Sequence, residues 1–208
     1  MKRVLLCAFM SVFFIAGAAQ AYERKQSYLG VEAGFFQAGS AKIFGENVNA
    51  DFGGDFGLKY NYYFAKGRQF SLGGSAHIGR MIASYDNGND ESRRKGDFSA
   101  TRFGLGLSGV AKVSKSIDIL LSGGVTFNLN ELEIEARQRG YDGGYTTTKD
   151  SSSFSSVGGF ASAGVNYLIT PSFAIGLACS YYFNDYSAEN VVAALGGWTA
   201  LITAGFMF

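Results

Sequence analysis

Trp198-Thr199-Ala200-Leu201-Ile202-Thr203-Ala204-Gly205-Phe206-Met207-Phe208 decides the fold of this chain. Trp198, Ala200, Ile202, Ala204, Phe206 and Phe208 share one parity, and Thr199, Leu201, Thr203, Gly205 and Met207 share the other. Successive side chains of a strand point to opposite faces. The stretch therefore predicts a strand with one apolar face and one small or polar face.

Upstream, the same alternation recurs in seven further segments, near 28–36, 52–64, 70–78, 102–113, 117–129, 156–169 and 173–184. In the second, Phe52, Phe56, Leu58, Tyr60, Tyr62 and Phe64 oppose Gly53, Asp55, Gly57, Lys59 and Asn61. In the fourth, Phe103, Leu105, Leu107, Ala111 and Val113 oppose Arg102, Gly104, Gly106, Ser108 and Lys112. Two places disturb the pattern. Parity slips from Glu131 to Ile134, which a bulge would explain, and Phe160 falls on the small-residue side of its segment.

The connections alternate in length. Ala65–Arg68, Ser114–Ser116 and Thr170–Ser172 are short, the last holding the only proline, Pro171. Ala38–Ala50, Ala83–Asp97, Arg137–Ser153 and Ser187–Gly196 are long and are expected to be polar loops. Short turns on one rim and long connections on the other are the layout of an outer-membrane barrel. A soluble barrel of lipocalin type shares the strand number but puts its apolar face inside. Composition decides between them. The polar face is Gly, Ser, Ala and Thr with few charges, whereas a water-facing surface carries many more Lys and Glu. Charged residues are 17% of the chain and aromatics 15%, with 29 Gly; a soluble domain has about 25% charge. Aromatics also gather toward segment ends, as interfacial girdles do.

Residues 1–21 read as a signal peptide: basic Lys2 and Arg3, an apolar run from Val4 to Ala16, and Ala19-Gln20-Ala21 as an A-x-A cleavage site. Residues 22–208 then form one outer-membrane β-barrel domain. The 18 Lys+Arg and 17 Asp+Glu fall to a net charge of −1 once Lys2 and Arg3 are removed. That balance gives no reason to expect nucleic acid. Cys179 alone remains after cleavage, so no internal disulfide forms. It is expected to act as a small hydrophobe on the apolar face.

The ending Ala204-Gly205-Phe206-Met207-Phe208 resembles the carboxy-terminal assembly signal of bacterial outer-membrane proteins, with Phe208 terminal and Phe206 two positions before it. With eight strands, the mature chain resembles the small OmpA/OmpX-like and opacity-type outer-membrane barrels. The resemblance implies an eight-stranded antiparallel up-and-down transmembrane β-barrel, inserted by the barrel assembly machinery. It implies contact with outer-membrane lipids and lipopolysaccharide. No periplasmic peptidoglycan-binding domain is expected after Phe208, unlike full-length OmpA.

Side chains roughly fill the interior of an eight-stranded barrel. Glu32, Asp55, Lys59, Arg102, Lys112 and Asp118 are the expected lumen charges, three of each sign. Buried charges need partners. Turn geometry predicts a Lys112–Asp118 pair, and similar height predicts a Glu32–Lys59 pair. His77, the only histidine, shares the inward face with Ser71, Ser75 and Asp55. Ser, His and Asp together invite a hydrolase reading. A His77 packed in a filled lumen and bonded to Asp55 is the expectation preferred to it.

The long connections carry the remaining candidates. Asp86-Asn87-Gly88-Asn89-Asp90-Glu91 is rich in oxygen ligands but lacks the ordered spacing of a calcium loop. Arg93, Arg94 and Lys95 could meet anionic lipopolysaccharide groups. Tyr141-Asp142-Gly143-Gly144-Tyr145 has the composition of an adaptable recognition surface, Tyr141 and Tyr145 being its contact candidates. Val191, Val192, Ala194 and Leu195 form an apolar patch that suits a short helical turn or a contact surface. The expectation is a monomeric barrel without cofactor, metal or catalysis, acting in envelope integrity or in adhesion to an extracellular or host surface. The alternatives are a narrow pore for small solutes and a lipid A-modifying enzyme.

Overall fold

The computed structural model describes residues 26–43, 46–49, 52–67, 69–88, 92–139, 145–188, 191–194 and 196–208. The expected signal peptide and Tyr141 lie outside them. Eight strands close into one antiparallel barrel: β1 (Ser27–Ala38), β4 (Phe52–Lys66), β5 (Phe70–Gly88), β6 (Ser92–Lys112), β7 (Ile117–Arg139), β8 (Tyr145–Thr170), β9 (Phe173–Phe183) and β12 (Gly197–Met207). Each pairs with its sequence neighbour in this set, and β1 closes the ring on β12 in a register running from Tyr28↔Met207 to Ala38↔Gly197. Lipid offers no hydrogen-bond partners, so only a sheet without edges can cross it.

Four short strands stand above the ring: β2 (Ser40–Ile43), β3 (Glu46–Asn49), β10 (Asp185–Ala188) and β11 (Val191–Ala194). They pair in the order β10-β11-β2-β3. That order repeats β9-β12-β1-β4 below, so these strands carry the shorter half of the wall upward. The patch around Val191 is therefore a strand rather than a helical turn. Backbone hydrogen bonding to β10 and β2 on either side holds it extended.

The other half of the wall rises as continuous strand. The stretches 83–97 and 137–153, expected as loops, are mostly sheet. β5 pairs β6 as far as Gly88↔Arg93, and β7 pairs β8 as far as Arg139↔Tyr145. The Arg137–Ser153 stretch is rich in Thr, Ser and Tyr, and Thr and Tyr favour extended chain. Its solvation had hidden the strand from an apolar/polar pattern.

No bulge lies at Glu131–Ile134. Register is unbroken there on both sides, and the shifts occur instead at Tyr63/Ala65 and Leu168/Thr170. What changes is chemistry. Below this level the outward residues are apolar: Phe103, Leu105, Val125, Phe127 and Leu129. Above it, Asp97, Glu131, Glu133 and Glu135 point outward while Ala100, Phe98 and Leu132 are buried inside. β5 does the same, with Met81 and Ala83 buried above His77. The parity slip in the sequence is the level at which the barrel leaves lipid for water.

The outward apolar belt carries aromatic clusters at both rims. Phe173 and Phe206 meet at 5.0 Å by the short turns. Tyr181 meets Trp198 at 4.7 Å and Phe183 at 4.6 Å at the other rim. Cys179 lies on this lipid-facing belt, as expected. Leu105→Arg should cost about 2–4 kcal/mol at mid-bilayer. Glu133→Arg, above the boundary, should cost less than about 0.5 kcal/mol. Urea unfolding in lipid vesicles checks the contrast, and equal costs would misplace the boundary.

Candidate functional site

The lumen is filled in three layers. At the short-turn end Tyr28, Tyr63, Val110, Ala174 and Met207 form a buried apolar cluster, with Leu120 and Leu168 packed against it. Gly30 and Gly205 make this possible: a β-carbon at either would fall within 2.6 Å of the Tyr28 ring. At the far end Phe36, Met81, Ala83, Phe98, Ala100 and Leu132 are buried on the inward parity, with buried Asn130 opposite Ala100 and Thr199 opposite Phe36. Most of the lumen charges lie between these two levels.

Its centre is an ion pair between Arg102 of β6 and Asp55 of β4, both almost fully buried. Gly79 on the intervening β5 has no side chain to separate them. The Arg102 guanidinium also lies 3.8 Å from the centre of the Tyr182 ring, a cation–π contact. The pair Glu32–Lys59 forms as expected, at 3.8 Å, and Lys59 Nζ donates to Ser122 Oγ at 3.2 Å across the lumen. Lys112 and Asp118 stand opposite in the register and are both buried, as the turn predicted.

His77 departs from expectation. Asp55 binds Arg102 instead, because the guanidinium neutralises the carboxylate where a neutral imidazole would only hydrogen-bond it. The imidazole packs edge-on to Phe160 at 4.7 Å, with Tyr182 at 6.3 Å. Phe160 breaks the alternation because it is this inward partner. Gly104 completes the slot: a β-carbon there would lie 1.9 Å from the ring. The Ser, His and Asp of the hydrolase reading share a wall but form no relay. A cavity of about 20 Å³ beside Glu32, Lys59 and Asn166 has room for one water.

The second candidate region is the outer surface of the projecting wall. Arg80 on β5 reaches Glu131 on β7 at 3.3 Å, and Ser99 on β6 donates to the same carboxylate at 3.0 Å. Farther out, Lys149 of β8 pairs Glu135 of β7 at 3.2 Å. Arg137 lies over the Tyr145 ring at 3.9 Å. Lys95 is exposed on the same outer face. Arg93 and Arg94 fall within β6, their side chains outside the described residues, as are those of Asp86–Glu91. Phe206 and Phe208, which the sequence reading expects as assembly-signal residues, are exposed on the lipid-facing parity. Among the described residues no His, Cys, Asp and Glu cluster suits a metal ion.

Residues 5–207 match the family described as the outer membrane protein beta-barrel domain. The chain belongs to that family. Its fold is shared by the outer membrane protein OprG of Pseudomonas aeruginosa, at 14% identity over 91% of this chain and 99% of that one, TM-score 0.58. Neisserial surface protein A matches at 14% identity over 90% and 100%, TM-score 0.52. The outer membrane protease OmpT of Escherichia coli matches at 10% identity over 93% and 100%, TM-score 0.53. A search of the curated proteins gives no match. The protein is thus a bacterial outer-membrane barrel, and the rim with short turns faces the periplasm.

The sequence places Asp55, Arg102 and His77 in the lumen, but it pairs Asp55 with His77 where the fold pairs it with Arg102. Periodicity tells which residues point inward, not which meet across the lumen. Arg102→Met should destabilise the folded barrel by about 3–5 kcal/mol, because it strands Asp55. The double variant Asp55→Leu/Arg102→Met should recover most of that loss in the same unfolding assay. Gly104→Ala should cost about 1–3 kcal/mol by overpacking the His77 ring. Adding His77→Ala should relieve it; an additive double variant would place the ring elsewhere.

Proposed function

We propose that this barrel is a non-enzymatic surface-contact protein, its membrane part a scaffold that lifts β5–β8 into the extracellular space. One observation carries the reading. A strand needs about 9–11 residues to cross a membrane, yet β7 has 23 and β8 has 26. Sheet maintained that far beyond the bilayer contributes nothing to anchoring. Its outer surface is polar, with exposed Lys95, Lys149 and Tyr145, and suits contact with anionic lipopolysaccharide groups or with another protein.

The lumen supports the same reading against the alternatives. A pore for small solutes needs a continuous wet path. Here bulky apolar side chains are buried toward both ends of the lumen, and the mid-lumen charges Asp55, Arg102, Glu32 and Lys59 are paired with each other. A lipid-modifying enzyme of the Ser-His-Asp kind needs its catalytic groups where a lipid can reach them. His77 is instead enclosed by Phe160, Tyr182 and the wall at Gly104.

The test replaces 85–95 and 137–147 with tight turns. The shortened barrel should still insert and show heat-modifiable gel migration. Cells displaying it should lose attachment to matrix-coated surfaces and binding to purified lipopolysaccharide. Attachment and binding that persist unchanged overturn the reading. So does steady conductance of the wild type in planar bilayers.

A further inference from the structure

Charge is sorted along the height of this barrel. The six lumen charges are three of each sign, and on the upper wall Arg80 and Lys149 are matched by Glu131 and Glu135. The short-turn rim is different. Lys66 ends β4, and Lys115 stands in the Ser114–Ser116 turn, both exposed. Among the described residues neither is ion-paired to an acid. Asp118, the acid that follows Lys115, is buried inside the barrel. The terminal Phe208 O accepts the Ser27 N–H at 2.8 Å. In the sequence, the stretches that lead into Gln26 and Phe70 add Arg24, Lys25 and Arg68 against the single acid Glu23, residues outside the described ones. This basic excess arises in a mature chain whose net charge is −1.

Height decides what Lys66 and Lys115 face. Phe64 precedes Lys66 by two residues and is exposed on the outward belt, and exposed Val113 and Ile117 flank Lys115 in the same way. Tyr60 and Tyr62 lie on that belt with their hydroxyls at the rim. The Tyr62 hydroxyl accepts from Gln26 Nε2 at 2.6 Å, and the Tyr60 hydroxyl is bonded to Ser27 Oγ at 3.3 Å. Aromatic rings with one wet end mark the level of the lipid headgroups. A lysine stem lies along apolar surface of this kind and carries its ammonium to the polar layer. The main chain fixes the arrangement. Gly67 N–H donates to Phe70 O at 2.7 Å, Val113 N–H to Ile117 O at 3.0 Å, and Lys112 N–H to Gln69 O at 2.8 Å, which ties one turn to the strand leading into the next. One strand, β5, separates β4 from β6, so the two backbones stand about 10 Å apart around the rim.

We propose that Lys66 and Lys115 form a binding arc for the headgroup phosphate of an anionic phospholipid in the periplasmic leaflet, of the phosphatidylglycerol or cardiolipin kind. The inference goes beyond the surface-contact reading and concerns the opposite rim. An ammonium at headgroup depth with no carboxylate beside it is completed by a lipid phosphate through charge-assisted hydrogen bonds. A zwitterionic headgroup brings its own ammonium and gains little, whereas an anionic one is attracted by each lysine near the surface. A cell-wall carboxylate or an acidic periplasmic protein would have to reach the level of the aromatic belt, where the lipid phosphate already lies. The acyl chains of the bound lipid lie on Phe64, Val113 and Ile117.

The probe is an equimolar mixture of phosphatidylglycerol and phosphatidylcholine added to the full barrel in detergent, with retained lipids counted by native mass spectrometry. The wild type should retain phosphatidylglycerol over phosphatidylcholine by at least about fivefold. About tenfold higher salt should shrink that preference, an arm that needs no variant. Lys66→Gln/Lys115→Gln should bring the two lipids close to parity, with heat-modifiable migration verifying that the double variant is folded. Lys149→Gln on the upper wall should leave the preference unchanged. Glycerol phosphate equimolar with the lipid should not displace it, because the free headgroup lacks the acyl chains.

Equal retention of the two lipids by the wild type, or a preference that survives in the double variant, overturns the proposal. A preference lost in Lys149→Gln instead moves the lipid to the upper wall and also overturns it. Displacement by equimolar glycerol phosphate makes the arc a site for free phosphate esters rather than for a membrane lipid. Binding of purified peptidoglycan that the double variant loses, with no lipid preference in the wild type, assigns the arc to the cell wall.

Discussion

The pairing of β1 with β12 is the constraint on which the rest of this structure depends. In hydrocarbon each unpaired backbone N–H or C=O costs several kcal/mol. A seven-strand remnant would leave two full edges in lipid. The last strand must therefore return to the first, in a register that keeps Leu29, Val31, Ala200 and Ile202 outward and Tyr28, Glu32 and Thr203 inward. A slip of one residue would turn each of them to the wrong face. Closure also fixes the lumen, because eight strands leave room for little more than their own side chains.

The solvent outside the wall changes along its height, and the sequence follows it. Within lipid the outward row is Leu, Val and Phe, while charge is buried and paired inside. Above lipid the assignment reverses within one or two residues, from Leu129 to Glu131 outward and from Asn130 to Leu132 inward. The backbone does nothing unusual at this level. The upper barrel is organised like a water-soluble one, apolar inside and charged outside. One continuous strand thus obeys two opposite burial rules.

These two facts together support the surface-contact reading proposed above. Charged groups of the interior meet one another: Arg102 with Asp55 and Tyr182, Lys59 with Glu32 and Ser122, while His77 packs among rings. Buried ion pairs of this kind add little net stability over apolar packing, but removing one partner is costly. They read as the way a narrow polar core tolerates charge. The upper wall is different, because its outer surface is polar and the strands that carry it are far longer than a bilayer crossing needs.

The sequence by itself determined strand number, the lipid-facing parity, the short-turn rim, the outer-membrane setting, and the pairs Glu32–Lys59 and Lys112 opposite Asp118. Each follows from period-two alternation or from a tight turn, which are local. It also carried the parity slip near Glu131, but local reasoning read a change of solvent as a change of backbone. Tertiary structure alone decided that Arg102 takes Asp55 from His77, that Phe160 is a lumen residue, and that 83–97 and 137–153 are largely wall. The physical reason is the same in each case. Partners that meet across a closed ring are set by curvature, shear and the glycines between them, and a solvated strand is held by its neighbour's hydrogen bonds, neither of which is written in any one segment.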